Sequence, residues 1–190
     1  MKKNTTKVLL LFLIFLVGIV GYYAYLSGQN RSDVENATMT EVQLVLSRDL
    51  AKDYPATVKE VVKYYTQIQK CYYGGKCSEE ELKLLGEKAW ELFDLELQWN
   101  NPMEGYITNL QAEVLAFQKA GRVMTSVAVA ASTNVDFFTD DGFDFARIHC
   151  GYGVMENNVG KSVKVVYLLR RDADRKWRIY GWDYAENVNP

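Results

Sequence analysis

Hydrophobic patterning divides the chain into three stretches. Residues 8–26 carry no charge and are Leu, Phe, Ile and Val through the middle. Nineteen helical residues span about 28 Å, close to the roughly 30 Å hydrocarbon core of a bilayer. This pattern predicts a transmembrane anchor within residues 1–26. Lys2, Lys3 and Lys7 precede the run, and Tyr22, Tyr23 and Tyr25 lie at its far end. Positive charge on one flank and interfacial aromatics on the other predict a cytoplasmic N-terminus and an extracytoplasmic remainder. A cleaved signal peptide is the competing reading. Ala24 followed by Leu26 fits the small-residue cleavage rule poorly. Residues 27–39 are polar and read as a tether, leaving 40–190 as one domain of ordinary length.

The first half of that domain has helical periodicity. Residues 40–50 fit a helix through Val42, Val45, Leu46 and Leu50, although Val42, Leu44 and Leu46 also fit a strand. Val58, Val61, Val62, Tyr65, Ile68 and Tyr72 recur at three- and four-residue spacing, predicting a helix that opens at Pro55 and ends at Gly74-Gly75. Ser78-Glu79-Glu80-Glu81 is a capping box for the next helix. Leu82, Leu85, Ala89, Leu92 and Phe93 form one face of it, and Leu84, Trp90, Leu95 and Leu97 fall elsewhere, predicting burial around much of its circumference. Asn101-Pro102 reads as cap and first turn of a third helix, carried by Ile107, Leu110, Val114 and Phe117 and stopped by Gly121.

After Gly121 the period becomes two. Val123, Thr125, Val127 and Val129 alternate with Met124, Ser126 and Ala128. Asp140-Asp141-Gly142, Asn157-Asn158 and residues 172–176 mark turns between long apolar runs. The run beginning at Phe143 changes parity between Phe145 and Ala146, which predicts a bulge there. Residues 163–170 are apolar on both faces, as a central strand requires. The predicted fold is α+β: about three helices packed on a curved, four-stranded antiparallel sheet, forming a cone with an inner cavity.

Charge narrows the function. The formal net charge is −2, and with three lysines before the anchor the remainder carries 19 basic against 24 acidic residues. A mildly acidic domain does not suit nucleic acid, whose binding needs clustered Lys and Arg. Cys71 and Cys77 bracket a turn; they read either as a disulfide, which an extracytoplasmic domain permits, or as two thiols. His149 is the only histidine and no CxxC occurs, so no metal site or cofactor motif is read. Asp94, Asp136, His149, Tyr152 and Asp183 are the residues that could project into a cone, and none stands in a spacing that defines a reaction. No catalytic residue is therefore assigned. Tyr65, Trp90, Tyr152, Trp177 and Trp182 form the candidate ligand pocket, with ordinary core packing as the alternative.

The order of elements, with Trp177-Arg178-Ile179-Tyr180-Gly181-Trp182 as the closing strand, resembles the nuclear-transport-factor-two-like (cystatin-like) fold. Tyr54-Pro55, Cys71-Tyr72-Tyr73, Leu92-Phe93-Asp94 and Asn101-Pro102 add a resemblance to uncharacterised membrane-anchored proteins of clostridia-like Gram-positive bacteria. The resemblance implies a cone that can hold a ligand, an active site or nothing, so function rests on the site. Two readings follow. One is a non-catalytic interaction or scaffold module with a protein partner at the outer membrane face. The other is a binder of small apolar ligands, or a lyase or isomerase, using the cone. An open interior favours the second and a filled one the first.

Overall fold

The structure, a computed structural model, describes residues 39–185. The predicted anchor, and the predicted tether apart from residue 39, lie outside the described residues. Among those described, no helix is long and apolar enough to cross a membrane.

Among the described residues, five α-helices precede the sheet. Helix α1 (Glu41–Leu46) buries Val42 and Val45, matching the helical reading of that stretch. Helix α2 (Val58–Tyr73) opens on a capping box in which the Thr57 side chain accepts from the Glu60 amide and Glu60 accepts from the Thr57 amide. Thr57 supplies the acceptor that Pro55 lacks, so Pro55 stands outside the helix rather than in its first turn. The predicted stripe of α2 is buried along its whole length. Tyr64 ties α1 to it by donating to the Val45 carbonyl at 2.8 Å. Helix α3 (Glu79–Trp90) opens on the predicted Ser78–Glu81 box. Such caps contribute about 1 kcal/mol each.

Helix α3 stops earlier than its apolar positions suggest. Phe93 leaves it to form a parallel bridge with Ile179. The Asp94 amide donates to the Ile179 carbonyl at 2.8 Å, and the Ile179 amide donates to the Leu92 carbonyl at 2.9 Å. Asp94 then caps a separate helix α4 (Leu95–Asn100). Leu95 is 77% exposed and Leu84 49%, so the burial predicted around much of the predicted helix's circumference is not found. Asn101 closes α4, and α5 (Met103–Lys119) begins after Pro102, one residue later than predicted. Gly121, at φ 68°, ends it.

The sheet has five strands, not four: β1 (Arg122–Val129), β2 (Asp136–Asp140), β3 (Phe143–Glu156), β4 (Val159–Arg171) and β5 (Trp177–Tyr184). All pairings within it are antiparallel, in the order β1-β3-β4-β5. The strand missing from the prediction is β2. It pairs with the first part of β3, while β1 pairs with the last part, so both lie on one side of β3. Asp136, Thr139 and Asp140 make β2 too polar to stand out as a strand. Asp141-Gly142 and Asn157-Asn158 turn the chain with positive φ at both residues, the conformation that two-residue hairpin loops favour.

No bulge lies at Phe145–Ala146, because β3 pairs with β4 in unbroken register. The bulges fall in β1, between Met124 and Ser126, and in β5, opposite Leu168–Leu169. The parity change at Phe145 reflects aromatic packing on the other face of the sheet. Phe145 stacks on Phe138 at 5.5 Å and meets the edge of Tyr180 at 5.6 Å. Ala146, Ile148, Cys150 and Tyr152 point to the core instead. Gly153 faces the β1 bulge, where an added Cβ would lie 2.3 Å from Ser126 Oγ.

Candidate functional site

Alternation along the strands directs Tyr152 inward from β3 and Val163, Val165 and Tyr167 inward from β4. Four-residue spacing on the helices sets Gln69 beside Tyr73 on α2, and Glu113 beside Phe117 on α5. Together with Met124 of β1 and Trp182 of β5, these side chains line an open cavity of about 680 Å³. Arg122, Glu156 and Lys161 stand in its wall as an ion-paired group: Arg122 Nε donates to Glu156 Oε1 at 2.5 Å, and Lys161 pairs with the same carboxylate.

The cavity hydroxyls are ordered by proton count. Tyr152 and Tyr167 Oη are 2.5 Å apart, and Gln69 Oε1 lies 2.6 Å from the first and 3.2 Å from the second. Each hydroxyl has one proton, and a contact between two oxygens needs one of them. Three contacts share two protons, and the two shortest take them: Tyr167 donates to Tyr152, Tyr152 donates to Gln69, and the 3.2 Å contact between Tyr167 and Gln69 is left without one. Tyr73 donates to Glu113 Oε1 at 2.5 Å. Burial pushes all three phenols well above their ordinary value, and for Tyr73 the Glu113 carboxylate adds to the effect. They serve as neutral hydrogen-bonding groups.

The same cause acts on other buried phenols. Tyr54 and Tyr64 are pushed up to about 12, and Tyr65 and Tyr72 are raised well above 10. Above pH 10 the unfolded chain loses phenolic protons that the folded chain keeps. Stability from these groups is thus intact below about pH 10 and falls as pH climbs through 12. Phenolate absorbance is expected to grow in step with the loss of secondary structure in an alkaline titration. Ionisation of these tyrosines at pH 10 in a fully folded chain would contradict it.

Of the five predicted pocket residues, the cavity gathers Tyr152 and Trp182. Tyr65 stands behind it, with ring contacts to Tyr167 at 5.7 Å and Trp182 at 6.0 Å. Trp90 lies elsewhere and donates from Nε1 to the Asn101 carbonyl at 2.8 Å. Trp177 packs against Phe137 and under Arg171, with its carbonyl accepting from Tyr54 at 2.8 Å. Sequence reasoning missed Gln69, Tyr73, Glu113 and Tyr167. Their signal was a four-residue step on each helix and the phase of Tyr167 with Val163 and Val165.

The other acidic candidates have structural partners. Asp94 is buried in an ion pair with Arg170, and Asp136 pairs across the strands with Arg147 at 3.5 Å. Asp183 lies in the cavity wall. His149 is exposed, on the face opposite Ile148 and Cys150, as alternation predicts. Cys71, Cys77 and Cys150 are free thiols. Burial raises Cys71 and Cys150 to about 11 and moves Cys77 in the same direction, so none is an activated thiolate. Among the described residues, no three His, Cys, Asp or Glu side chains converge as metal ligands do.

A family model described as "Domain of unknown function (DUF6715)" matches residues 1–182. No curated protein matches the chain. The match covers nearly the whole sequence, and the chain belongs to that family of uncharacterised domains.

Proposed function

We propose that this protein is a membrane-anchored, extracytoplasmic binding module without catalytic activity, whose ligand site is the cavity between α2, α5 and the sheet. The cavity carries the proposal. Its volume of about 680 Å³ lies within the roughly 300–1,000 Å³ of small-molecule sites, and its lining is largely apolar with a few polar groups. A plain scaffold needs no such space. The cavity phenols, pushed away from neutrality, do not supply the base poised near the working pH that a lyase or isomerase needs.

The anchor in residues 1–26 is supported by the uncharged run and its lysine and tyrosine flanks. The tether of 27–39, at no more than about 3.5 Å per residue, holds the domain of 40–190 within about 45 Å of the membrane. A cystatin-like cone is supported by helices preceding an antiparallel sheet that is bulged in β1 and β5. Kinship with anchored proteins of clostridia-like Gram-positive bacteria belongs to the same proposal. So does a protein partner at the outer face, for which Trp99, 87% exposed on α4, is available. Oxidation of the free thiols of Cys71 and Cys77 to a disulfide would suit that compartment.

The test uses the full chain in lipid nanodiscs with labelled Met and Val methyls. The neutral, water-soluble alcohol 3,3-dimethyl-1-butanol is expected to shift the Met124 and Val165 methyl signals saturably. Val163→Phe, which fills the cavity, is expected to abolish that shift while the amide spectrum stays folded. Absence of saturation in the parent protein, or retention of it in a folded Val163→Phe protein, would overturn the proposal. Carbonate-washed membranes and protease access to a C-terminal tag in intact cells test the anchor and its direction. Tag protection or release of the chain would refute the topology.

A further inference from the structure

We infer that the cavity selects a cationic alkylammonium head over a neutral or anionic one. The inference rests on the cavity being a ligand site and adds the charge of the ligand. Tyr73, Phe117, Tyr152, Tyr167 and Trp182 all contribute to one wall system. Phe117 lies 4.9 Å from Tyr73, centroid to centroid, and Tyr167 lies 6.2 Å from Trp182, so the rings form two contacting pairs around the space. Aromatic faces carry negative potential and attract ammonium groups.

The polar groups point the same way. All three phenolic protons are spent on protein acceptors, so none is left to donate to an anion. Both wall cations, Arg122 and Lys161, are engaged by the single carboxylate of Glu156. Glu113 instead accepts from a neutral phenol and has no cationic partner among the described residues. Its second oxygen is available to a ligand. With Glu113, Glu156 and Asp183 set against Arg122 and Lys161, the wall carries a net negative charge. An anion would meet that net charge and the ring faces, and the two wall cations it could reach already share a carboxylate. An ammonium group meets an aromatic enclosure and an uncompensated carboxylate.

Two sources offer this chemistry: the headgroup of a membrane lipid and a soluble amine. Choline and 3,3-dimethyl-1-butanol have the same shape and differ in charge, which makes them a direct probe pair. In phosphatidylglycerol nanodiscs, choline is expected to bind the full chain about tenfold more tightly than the neutral alcohol, and 3,3-dimethylbutyrate more weakly than either. Glu113→Gln, a change at an exposed helix position, is expected to cut the choline preference, read as the ratio of choline to alcohol affinity in the same protein, to below about threefold. Equal binding of choline and the alcohol overturns the charge inference and leaves the ligand site standing. Failure of every probe to saturate overturns both. Undiminished choline preference in Glu113→Gln overturns the role of that carboxylate. Repeating the choline titration in phosphatidylcholine nanodiscs separates the sources: a weaker apparent affinity assigns a lipid headgroup, and an unchanged one assigns a soluble amine.

Discussion

Asp94→Ala is expected to destabilise the folded domain by about 3–5 kcal/mol, because it removes the principal partner of a largely buried arginine and the cap of α4. Asp94 is 3% exposed. Its carboxylate takes both Arg170 Nη2 and Arg170 Nε, the latter at 3.1 Å, and also accepts the Glu96 amide at 3.0 Å as the cap of α4. Arg170 lies over the rings of Phe143 and Tyr180 and reaches Glu96 at 3.3 Å, so the aspartate fixes an arginine that organises the outer face of the sheet. For a domain of this size the loss corresponds to a fall of roughly 6–20 °C in Tm. Asp94→Asn keeps a capping oxygen and is expected to lose less. Arg170→Met added to Asp94→Ala is expected to cost little more, since the pair acts as a unit. Thermal denaturation of the parent, Asp94→Ala, Asp94→Asn, Arg170→Met and the double variant checks this, and additive losses of the two single variants would refute the coupling.

Tyr65→Ala is expected to cost a comparable amount, about 3–5 kcal/mol, by opening a void in the centre of the core. Tyr65 is 2% exposed, and its ring meets Phe93 at 5.8 Å as well as Tyr167 and Trp182. Phe93 comes from the segment that docks on β5, and Tyr167 and Trp182 belong to the cavity wall, so one side chain supports both. The void adjoins the ligand site, and an alanine protein stable enough to titrate is expected to bind 3,3-dimethyl-1-butanol with altered affinity. Tyr65→Phe keeps the ring contacts and is expected to lose far less. Urea denaturation of the two proteins tests the contrast; equal losses would show that the hydroxyl, not the ring, carries the stability.

Where one residue type has one physical meaning, the fold was legible. The buried stripe of α2, the Ser78–Glu81 box, the Gly121 stop and the two paired-residue turns each follow from local chemistry. The errors arose where two elements compete for the same residues. Leu92 and Phe93 fit the face of α3, yet their burial comes from β5, and sequence periodicity cannot distinguish those surroundings. Phe145 broke the alternation because β3 carries packed apolar side chains on both faces there, aromatic on one and aliphatic on the other, which a parity count reads as a bulge. The cavity was half legible for a related reason. Large aromatics advertise burial in general, while Gln69 and Glu113 matter only through the phenols that the tertiary fold brings to them.

Docking of Leu92, Phe93 and Asp94 along β5 also bears on self-association. A sheet's outermost strand offers unpaired amides and carbonyls to another chain, which invites intermolecular pairing. On β5 the Ile179 amide and carbonyl are already occupied by that segment, and a bulge interrupts the strand next to it. At the opposite border, β1 and β2 are separated by residues 130–135, and β2 carries Asp136 and Asp140. Both borders are thus poor templates for strand addition. Asp94 holds one of them shut, so weakening it loosens a guard against aggregation as well as a contact within the fold.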